Sequence, residues 1–276
     1  MPATYVAPTA SVAAPARTAP PYGLGSVLGW RNGDRWESGV SWSSLPCTPA
    51  LGRAGVSCLT NEADPIPGLP KPIEDAGGPA FGEATPFVVF GLYRCLSVGT
   101  SPEEAQAYAD AALATGEEAR AEQALWTGDL GNVPNLSGAN GYPAPITAGA
   151  HTAPVDALAA VELKIVQEYG SQGVIHVSRR TAVLLGRHVE RSGTRLVTRN
   201  LGTPVVAGSG YPDTQEIVGT PPLFGYRSEV FNSSARPGDL MDLQYNWMNA
   251  IAERSYLVGF DPCPVVKATY TGVELP

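Results

Sequence analysis

Few side chains of this sequence stand at the spacings that metal binding or catalysis requires. The three histidines, His151, His176 and His188, are separated by 25 and 12 residues, and neither an H-E-x-x-H pattern nor a C-x-x-C pair accompanies them. Zinc sites need closer spacings than these. His176 alternates within an apolar strand-like run, where a core or interface histidine is favoured over a ligand. The sequence therefore predicts no metal and no other cofactor.

The patterns of common nucleophilic and nucleotide-binding sites are also absent. No G-x-S-x-G sequence supplies a hydrolase nucleophile, and none of the three lysines follows a glycine as in a phosphate-binding loop. Gly23 and Gly25 begin a dinucleotide-like pattern, but Leu28 occupies the place of the third glycine and a proline-rich segment precedes them. The prediction is that the chain is not an enzyme, with a soluble enzyme of unrecognised site as one alternative.

One acidic cluster could support acid–base chemistry. Glu117, Glu118 and Glu122 lie close together near the end of a predicted long helix. The sequence has no second acidic cluster that could act together with them, which favours a solvated or salt-bridged helix face.

The cysteines predict free thiols. The four, Cys47, Cys58, Cys95 and Cys263, are too few for a disulfide framework in a chain of 276 residues. The N-terminus has no basic cluster leading into an apolar segment and so does not resemble a secretory signal. Cys47 and Cys58 flank a short loop and could pair, but reduced thiols in a cytoplasmic setting are the prediction.

Composition restricts the partners. The chain has 18 basic and 26 acidic residues, and this formal charge of −8 argues against gripping nucleic acid phosphates but allows a protein that encloses DNA. Charged residues make up only 16 % of the chain, which indicates that other molecules cover much of its surface. The longest strongly apolar run, Phe87–Tyr93, is far shorter than the roughly 20 residues that cross a bilayer, so no membrane partner is expected.

The first third of the chain is predicted to be extended. Residues 1–36 begin with an alanine- and proline-rich segment typical of an arm. Residues 37–86 carry eight prolines and seven glycines after Glu37, a composition typical of a long projecting loop or loose hairpin, with a strand-like piece at Trp36–Trp42.

Regular structure is predicted from Phe87 onward. After a strand at Phe87–Tyr93, Ser101, Pro102 and Glu104 are typical of a capped helix start, and nine alanines support this helix as far as Leu125. A second helix is predicted after Asp156 and up to Gly170.

Short strands follow, with one helix among them. The predicted elements are a strand at 173–177, a helix capped by Ser178, strands at 194–198 and 201–206, and two closing strands at 249–260 and 264–271. The closing strands are predicted to pair across a turn at Asp261–Pro262.

Several segments, in order, resemble one protein family. The run from Glu117 to Gly131, followed by Gly138, resembles the end of the spine helix in tailed-bacteriophage major capsid proteins of the Hong Kong 97 type. The residues that carry this resemblance are Glu118, Glu122, Gly128, Asp129 and Gly131. Leu130 replaces the middle glycine of the family's turn.

Three later segments are similar to the same family. The run from Gly173 to Arg180 resembles the strand and capped helix of its axial domain, and the run from Leu201 to Val206, with Gly202 and Pro204, resembles its Leu-Gly-x-Pro-Val-Val segment. Glu253 and Arg254, in the predicted closing strand, resemble the closing hairpin of its peripheral domain. The resemblance spans roughly Phe87 to Thr271.

The resemblance implies an α+β fold of the Hong Kong 97 type. It implies an N-terminal arm over 1–36, an extended loop over 37–86, and a peripheral domain built from 87–130, with the spine helix, and 241–276. An axial domain over 131–240 would be inserted between these two parts.

The resemblance also implies a function. A major capsid protein self-assembles, as hexamers and pentamers, into the icosahedral head of a tailed double-stranded DNA phage, within the virion, after assembly in the host cytoplasm. Scaffolding, portal and decoration proteins would be separate partners, and packaged DNA would be enclosed without sequence-specific binding. An encapsulin-like nanocompartment shell protein of the same fold is the first alternative.

Overall fold

The computed structural model describes residues 15, 17–33, 35–45, 47, 79–96, 101–232, 241–242, 244 and 247–272. The helices are α1 (Pro102–Thr127), α2 (Pro154–Tyr169) and α3 (Arg179–Leu185). The strands are β1 (Trp30–Arg31), β2 (Val40–Ser44), β3 (Ala80–Ala84), β4 (Phe87–Leu96), β5 (Ile146–His151), β6 (Val174–Ser178), β7 (Val189–Ser192), β8 (Arg195–Thr198), β9 (Pro204–Gly208), β10 (Glu216–Thr220), β11 (Leu223–Arg227), β12 (Phe231–Asn232), β13 (Met241–Asp242), β14 (Trp247–Phe260) and β15 (Val266–Tyr270).

Helix α1 begins where its sequence signals predict. The Ser101 hydroxyl accepts the backbone N–H of Glu104 at 3.2 Å, while the Glu104 carboxylate accepts the backbone N–H of Ser101 at 3.0 Å. Pro102 occupies the first turn, where its missing N–H costs nothing. The helix ends at Thr127, because Gly128 adopts a left-handed φ of +78° and donates its N–H to the Ala124 carbonyl.

A six-stranded sheet packs against α1. Its central strand is β14, which pairs with β4 on one edge and with β11, β12 and β13 in turn on the other, while β1 pairs with β11. The helix lies close to this sheet because Ala105 and Ala109 are small and fully buried. Gly91 of β4 is equally necessary, since a Cβ at this position would lie 2.4 Å from the Ala109 carbonyl oxygen.

A seven-stranded mixed sheet forms the second layer, in the order β5-β15-β10-β6-β9-β8-β7. Helices α2 and α3 cover one face, where Leu158, Val161 and Ile165 of α2 pack on the sheet. On the other face, Val174, Val206 and Val218 pack with Leu125 and Trp126 from the C-terminal end of α1. The central strands are buried on both sides, and α1 therefore connects the two sheets.

The predicted pairing of the two closing strands is wrong. Strand β14 lies in the six-stranded sheet, whereas β15 lies in the seven-stranded sheet between β5 and β10. Both edges of β14 are already occupied by other strands, so no edge is open to β15 there. Val266, Ala268 and Tyr270 of β15 are instead buried with α2. Strands β11 and β12, from the segment 131–240, lie in the six-stranded sheet.

Part of the segment predicted as an arm, residues 1–36, packs against the rest of the chain. From Tyr22 onward the chain packs into the body: Leu24 is fully buried and Leu28 nearly so, in the cluster that contains Leu125 and Trp126. A continuous strand over Trp36–Trp42 is also wrong. A short 3-10 turn at Trp36–Ser38 comes first, and β2 starts only after Gly39, whose φ is +99°.

The ends of the predicted loop form an antiparallel ribbon, β2 with β3, as expected of a loose hairpin. Residues 48–78 lie outside the described residues. The prediction of free thiols is wrong for two cysteines, because Cys47 and Cys263 form a disulfide across a sequence separation of 216 residues. Cys95 is free, and Cys58 lies outside the described residues.

Candidate functional site

The deepest polar group at the end of α1 is the Glu122 carboxylate. It is fully buried and accepts three hydrogen bonds, from the backbone N–H of Leu24 at 2.9 Å, the backbone N–H of Gly210 at 2.8 Å and the Ser209 hydroxyl at 3.1 Å. Burial raises the pKa of Glu122, and the backbone hydrogen bonds from Gly210 and Leu24 oppose that rise. Glu122 thus joins the helix to two other parts of the chain.

The two neighbouring carboxylates make similar connections. Glu118 accepts the backbone N–H of Gly25 at 2.7 Å. Glu117 accepts two hydrogen bonds of 3.0 Å from the Arg254 guanidinium and one of 2.7 Å from the Tyr256 hydroxyl. Burial, with the adjacent Glu117, raises the pKa of the Tyr256 hydroxyl.

The predicted interpretation of this acidic face is therefore half right. Glu117 is salt-bridged, as predicted, but Glu122 is not solvated. Glu118 and Glu122 bind the N-terminal segment, Glu122 also binds the loop before β10, and Glu117 binds β14, so the cluster fastens α1 to three other parts of the chain. The loop approaches closely because Gly210 has no side chain: a Cβ there would lie 1.7 Å from the Ala119 carbonyl oxygen.

The turn after α1 has the backbone that its glycines suggest. Gly128 and Gly131 have φ values of +78° and +75°, and a Cβ on Gly128 would lie 2.9 Å from the Ala139 Cβ. Leu130, between them, also adopts a positive φ of +60°. Asp129 pairs with Arg120 at 3.0 Å on the partly exposed side of the turn.

The remaining residues singled out from the sequence lie elsewhere. Gly202, with φ +71°, donates its N–H to the Thr198 carbonyl in the turn between β8 and β9, and Pro204 begins β9. Glu253 lies on β14, partly exposed. Only Glu118, Glu122, Gly128, Asp129 and Gly131 share the end of α1, with Arg254 reaching the same helix through Glu117.

An apolar face lies on the side of the six-stranded sheet away from α1. In β4 the buried residues Val89 and Gly91 alternate with Val88, Phe90 and Leu92, whose exposed fractions are 45 %, 61 % and 53 %. The alternation places the second set on the outer face.

Strand β12 extends this outer face. Glu253 pairs with Phe90 on one side and with Phe231 on the other, so the three side chains share a face. Phe231 is 65 % exposed. We call Val88, Phe90, Leu92 and Phe231 the outer patch.

Sequence reasoning missed one buried carboxylate. Glu162 of α2 is 8 % exposed and accepts hydrogen bonds of 2.9 Å from the hydroxyls of both Thr198 and Thr203. A signal was present, because Glu162 is one turn from Leu158 on the apolar stripe of its helix. The bond fastens α2 to the turn before β9.

The core prediction for His176 is confirmed. Its ring is fully buried, with Nδ1 2.8 Å from the Tyr211 hydroxyl and Nε2 3.0 Å from the Thr220 hydroxyl. Burial lowers the pKa of His176 to about 3. Within the part of the chain that the structure describes, no three His, Cys, Asp or Glu side chains group as a metal site would require, and no helix has the length and apolar character to cross a membrane.

The arrangement of a long helix over one sheet, with a second sheet at its C-terminal end, defines an α+β fold, as predicted. No family model and no curated protein sequence matches the chain. Solved structures match it along nearly its whole length.

A chain from the capsid of an empty GTA particle matches with a TM-score of 0.55 and 15 % identity, covering 97 % of this chain and 96 % of that one. A chain of Mycobacterium phage Adephagia matches with a TM-score of 0.54 and 13 % identity, covering 98 % and 96 %. For a chain of Mycobacterium phage Che8 the TM-score is 0.52 and the identity 15 %, with 98 % and 99 % covered. The fold is that of capsid proteins of the Hong Kong 97 type.

Proposed function

We propose that the chain is the major capsid protein of a tailed double-stranded DNA bacteriophage, and that its copies assemble into the icosahedral head that encloses the genome. The observation that carries the proposal is the likeness, over 97 % of the chain, to a chain from the capsid of a GTA particle. The role is structural, with no enzymatic activity, and the protein resides in the virion.

The outer patch supports assembly as the function. Single exposed apolar residues are common on soluble proteins, but four on one sheet face, two of them largely exposed phenylalanines, are typical of an interaction surface. A shell of hexamers and pentamers must close through many repeated contacts between copies. We assign the outer patch to such a contact.

The two sheets suggest the domain assignment. The six-stranded sheet with α1 forms the peripheral domain, and the seven-stranded sheet with α2 and α3 forms the axial domain. This assignment moves β11 and β12 into the peripheral domain and β15 into the axial domain. Residues 37–86 form the extended loop, and the chain before Tyr22 forms the arm.

Charge supports a container rather than a nucleic-acid reader. A formal charge of −8 opposes adhesion of the shell to packaged DNA, which is then enclosed without sequence-specific contacts. Scaffolding, portal and decoration functions belong to separate proteins, and assembly takes place in the host cytoplasm.

The proposal is tested by electron microscopy of the purified protein and of a patch variant. Wild-type protein is expected to form closed icosahedral particles. Phe90→Glu removes apolar burial of roughly 1.5–3 kcal/mol at every repeated contact and is expected to reduce particle yield by about tenfold or more.

Val183→Glu is the matched control, because Val183 is 79 % exposed on α3, at the other sheet. Retained particles in this variant show that an added surface carboxylate alone is tolerated. A discrete small oligomer of the wild-type protein contradicts the shell function, and an undiminished particle yield in Phe90→Glu contradicts the assignment of the outer patch.

A further inference from the structure

The Cys47–Cys263 disulfide joins the root of the long loop to the crossing between the two sheets. Cys47 lies three residues beyond the end of β2, and Cys263 lies between the end of β14 and the start of β15. Their Cα atoms are 5.4 Å apart, a usual separation for a disulfide. The bond therefore holds Cys47 at the segment between β14 and β15.

The other described contacts of the ribbon lie in one hydrophobic cluster with β11 and β14. Trp42 of β2 packs edge-on against Phe224, with ring centroids 4.8 Å apart, and Ala84 of β3 packs against Leu257. The buried indole N–H of Trp42 has no hydrogen-bond partner among the described residues, which weakens this seat. The disulfide adds a covalent attachment at the Cys47 end of the ribbon.

We propose that this bond is under redox control. The chain folds with both thiols reduced, and later oxidation links Cys47, at the start of the loop, covalently to Cys263 between β14 and β15. The order of events rests on the proposed function, because disulfides are rare in the reducing cytoplasm in which capsid subunits are made. Non-covalent contacts form the fold first, and the covalent bond then holds the end of the ribbon at Cys47 in place.

The chemistry is thiol–disulfide exchange. The Cys47 thiolate is half-buried and reachable, whereas Cys263 is only 6 % exposed. Cys47 attacks a low-molecular-weight disulfide such as oxidised glutathione, forming a mixed disulfide and releasing one glutathione thiolate. The Cys263 thiolate then attacks Cys47 and releases the second glutathione. The protein loses two electrons and two protons in all, and oxidised glutathione gains them.

The experiment compares the folded full-length protein after treatment with reduced and with oxidised glutathione. Alkylation of free thiols followed by peptide mass mapping is expected to find Cys47 and Cys263 protected together in the oxidised sample and alkylated in the reduced one. Reduction is expected to lower the thermal midpoint by about 5–10 °C and to accelerate amide exchange in β2 and β3 more than in α1.

Three serine variants complete the test. Cys47→Ser and Cys263→Ser are expected to match the reduced wild-type protein under both conditions, whereas Cys95→Ser should still respond to glutathione. A Cys47–Cys58 linkage in the oxidised sample would overturn the proposal, as would equal midpoints and equal ribbon exchange in the two redox states. These readouts use the subunit alone, so failure to form particles contradicts the proposed function and leaves this result standing.

Discussion

Replacing Glu122 by alanine tests whether the carboxylate at the end of α1 fastens the N-terminal segment. The substitution leaves the backbone N–H groups of Leu24 and Gly210 without an acceptor. An unsatisfied buried donor costs roughly 1–3 kcal/mol. Leu24 is fully buried, whereas the bond to Gly210 is only partly buried, so water recovers part of the second cost. The variant also no longer has to bury a carboxylate, and this stabilises it by a smaller free energy than the lost hydrogen bonds cost. We expect the free energy of unfolding to fall by about 2–4 kcal/mol.

Glu118→Ala is the matched control for this prediction. Glu118 sits one turn away and also accepts a backbone N–H, from Gly25, but it is partly exposed. Its loss should cost about 1 kcal/mol or less. Urea unfolding of both variants measures the loss in free energy of unfolding, and amide hydrogen exchange shows which parts of the chain are destabilised. In Glu122→Ala, exchange at Leu24 and Gly210 should accelerate while the first turns of α1 stay protected. Equal destabilisation by the two variants, or unchanged exchange at Leu24, would refute the reasoning.

Three further predictions follow from backbone strain, close packing and burial. Gly128 and Leu130 both have a positive φ, which glycine adopts without strain. In urea unfolding, Gly128→Val should therefore destabilise the fold by about 2 kcal/mol or more, whereas Leu130→Gly should be neutral or stabilising within about 1 kcal/mol. The reverse order would show that the turn is misplaced. Gly91→Ala should lower the free energy of unfolding by about 1–3 kcal/mol, because its Cβ would meet the backbone of α1. Gly116→Ala, within the same helix and with open space around it, should raise the melting temperature. Equal effects of the two substitutions would contradict this packing. Burial lowers the pKa of His176 to about 3, so the free energy of unfolding should decrease on acidification from pH 6.5 toward pH 3, by up to about 1.4 kcal/mol per pH unit. His176→Gln should reduce this dependence of the free energy of unfolding on pH. An unchanged dependence in the variant would assign it to other groups.

Local signals predicted α1 well. The cap at Ser101 and Glu104, the proline at the first turn and the glycine after the last all act within a few residues of one another. Helix α3 was predicted for the same reason, since the Ser178 hydroxyl caps it by accepting the Thr181 N–H. The fold type also followed, from the order of short motifs along the chain.

The pairings that failed depend on distant parts of the chain. Strand β15 joins the seven-stranded sheet because both edges of β14 are filled by strands from other segments. Glu122 is buried by Leu24 and Gly210, which are 98 and 88 residues away. The two bonded cysteines are 216 residues apart, beyond any local pattern. No periodicity within a single segment reports such contacts.

The position of β15 in the sequence determines when the seven-stranded sheet can be completed during translation. Its five residues follow all six other strands of the seven-stranded sheet in the sequence, yet they fill the gap between β5 and β10. A chain leaving the ribosome therefore cannot complete this sheet until its other strands have all been made. Prematurely terminated fragments lack this strand and leave two strand edges open.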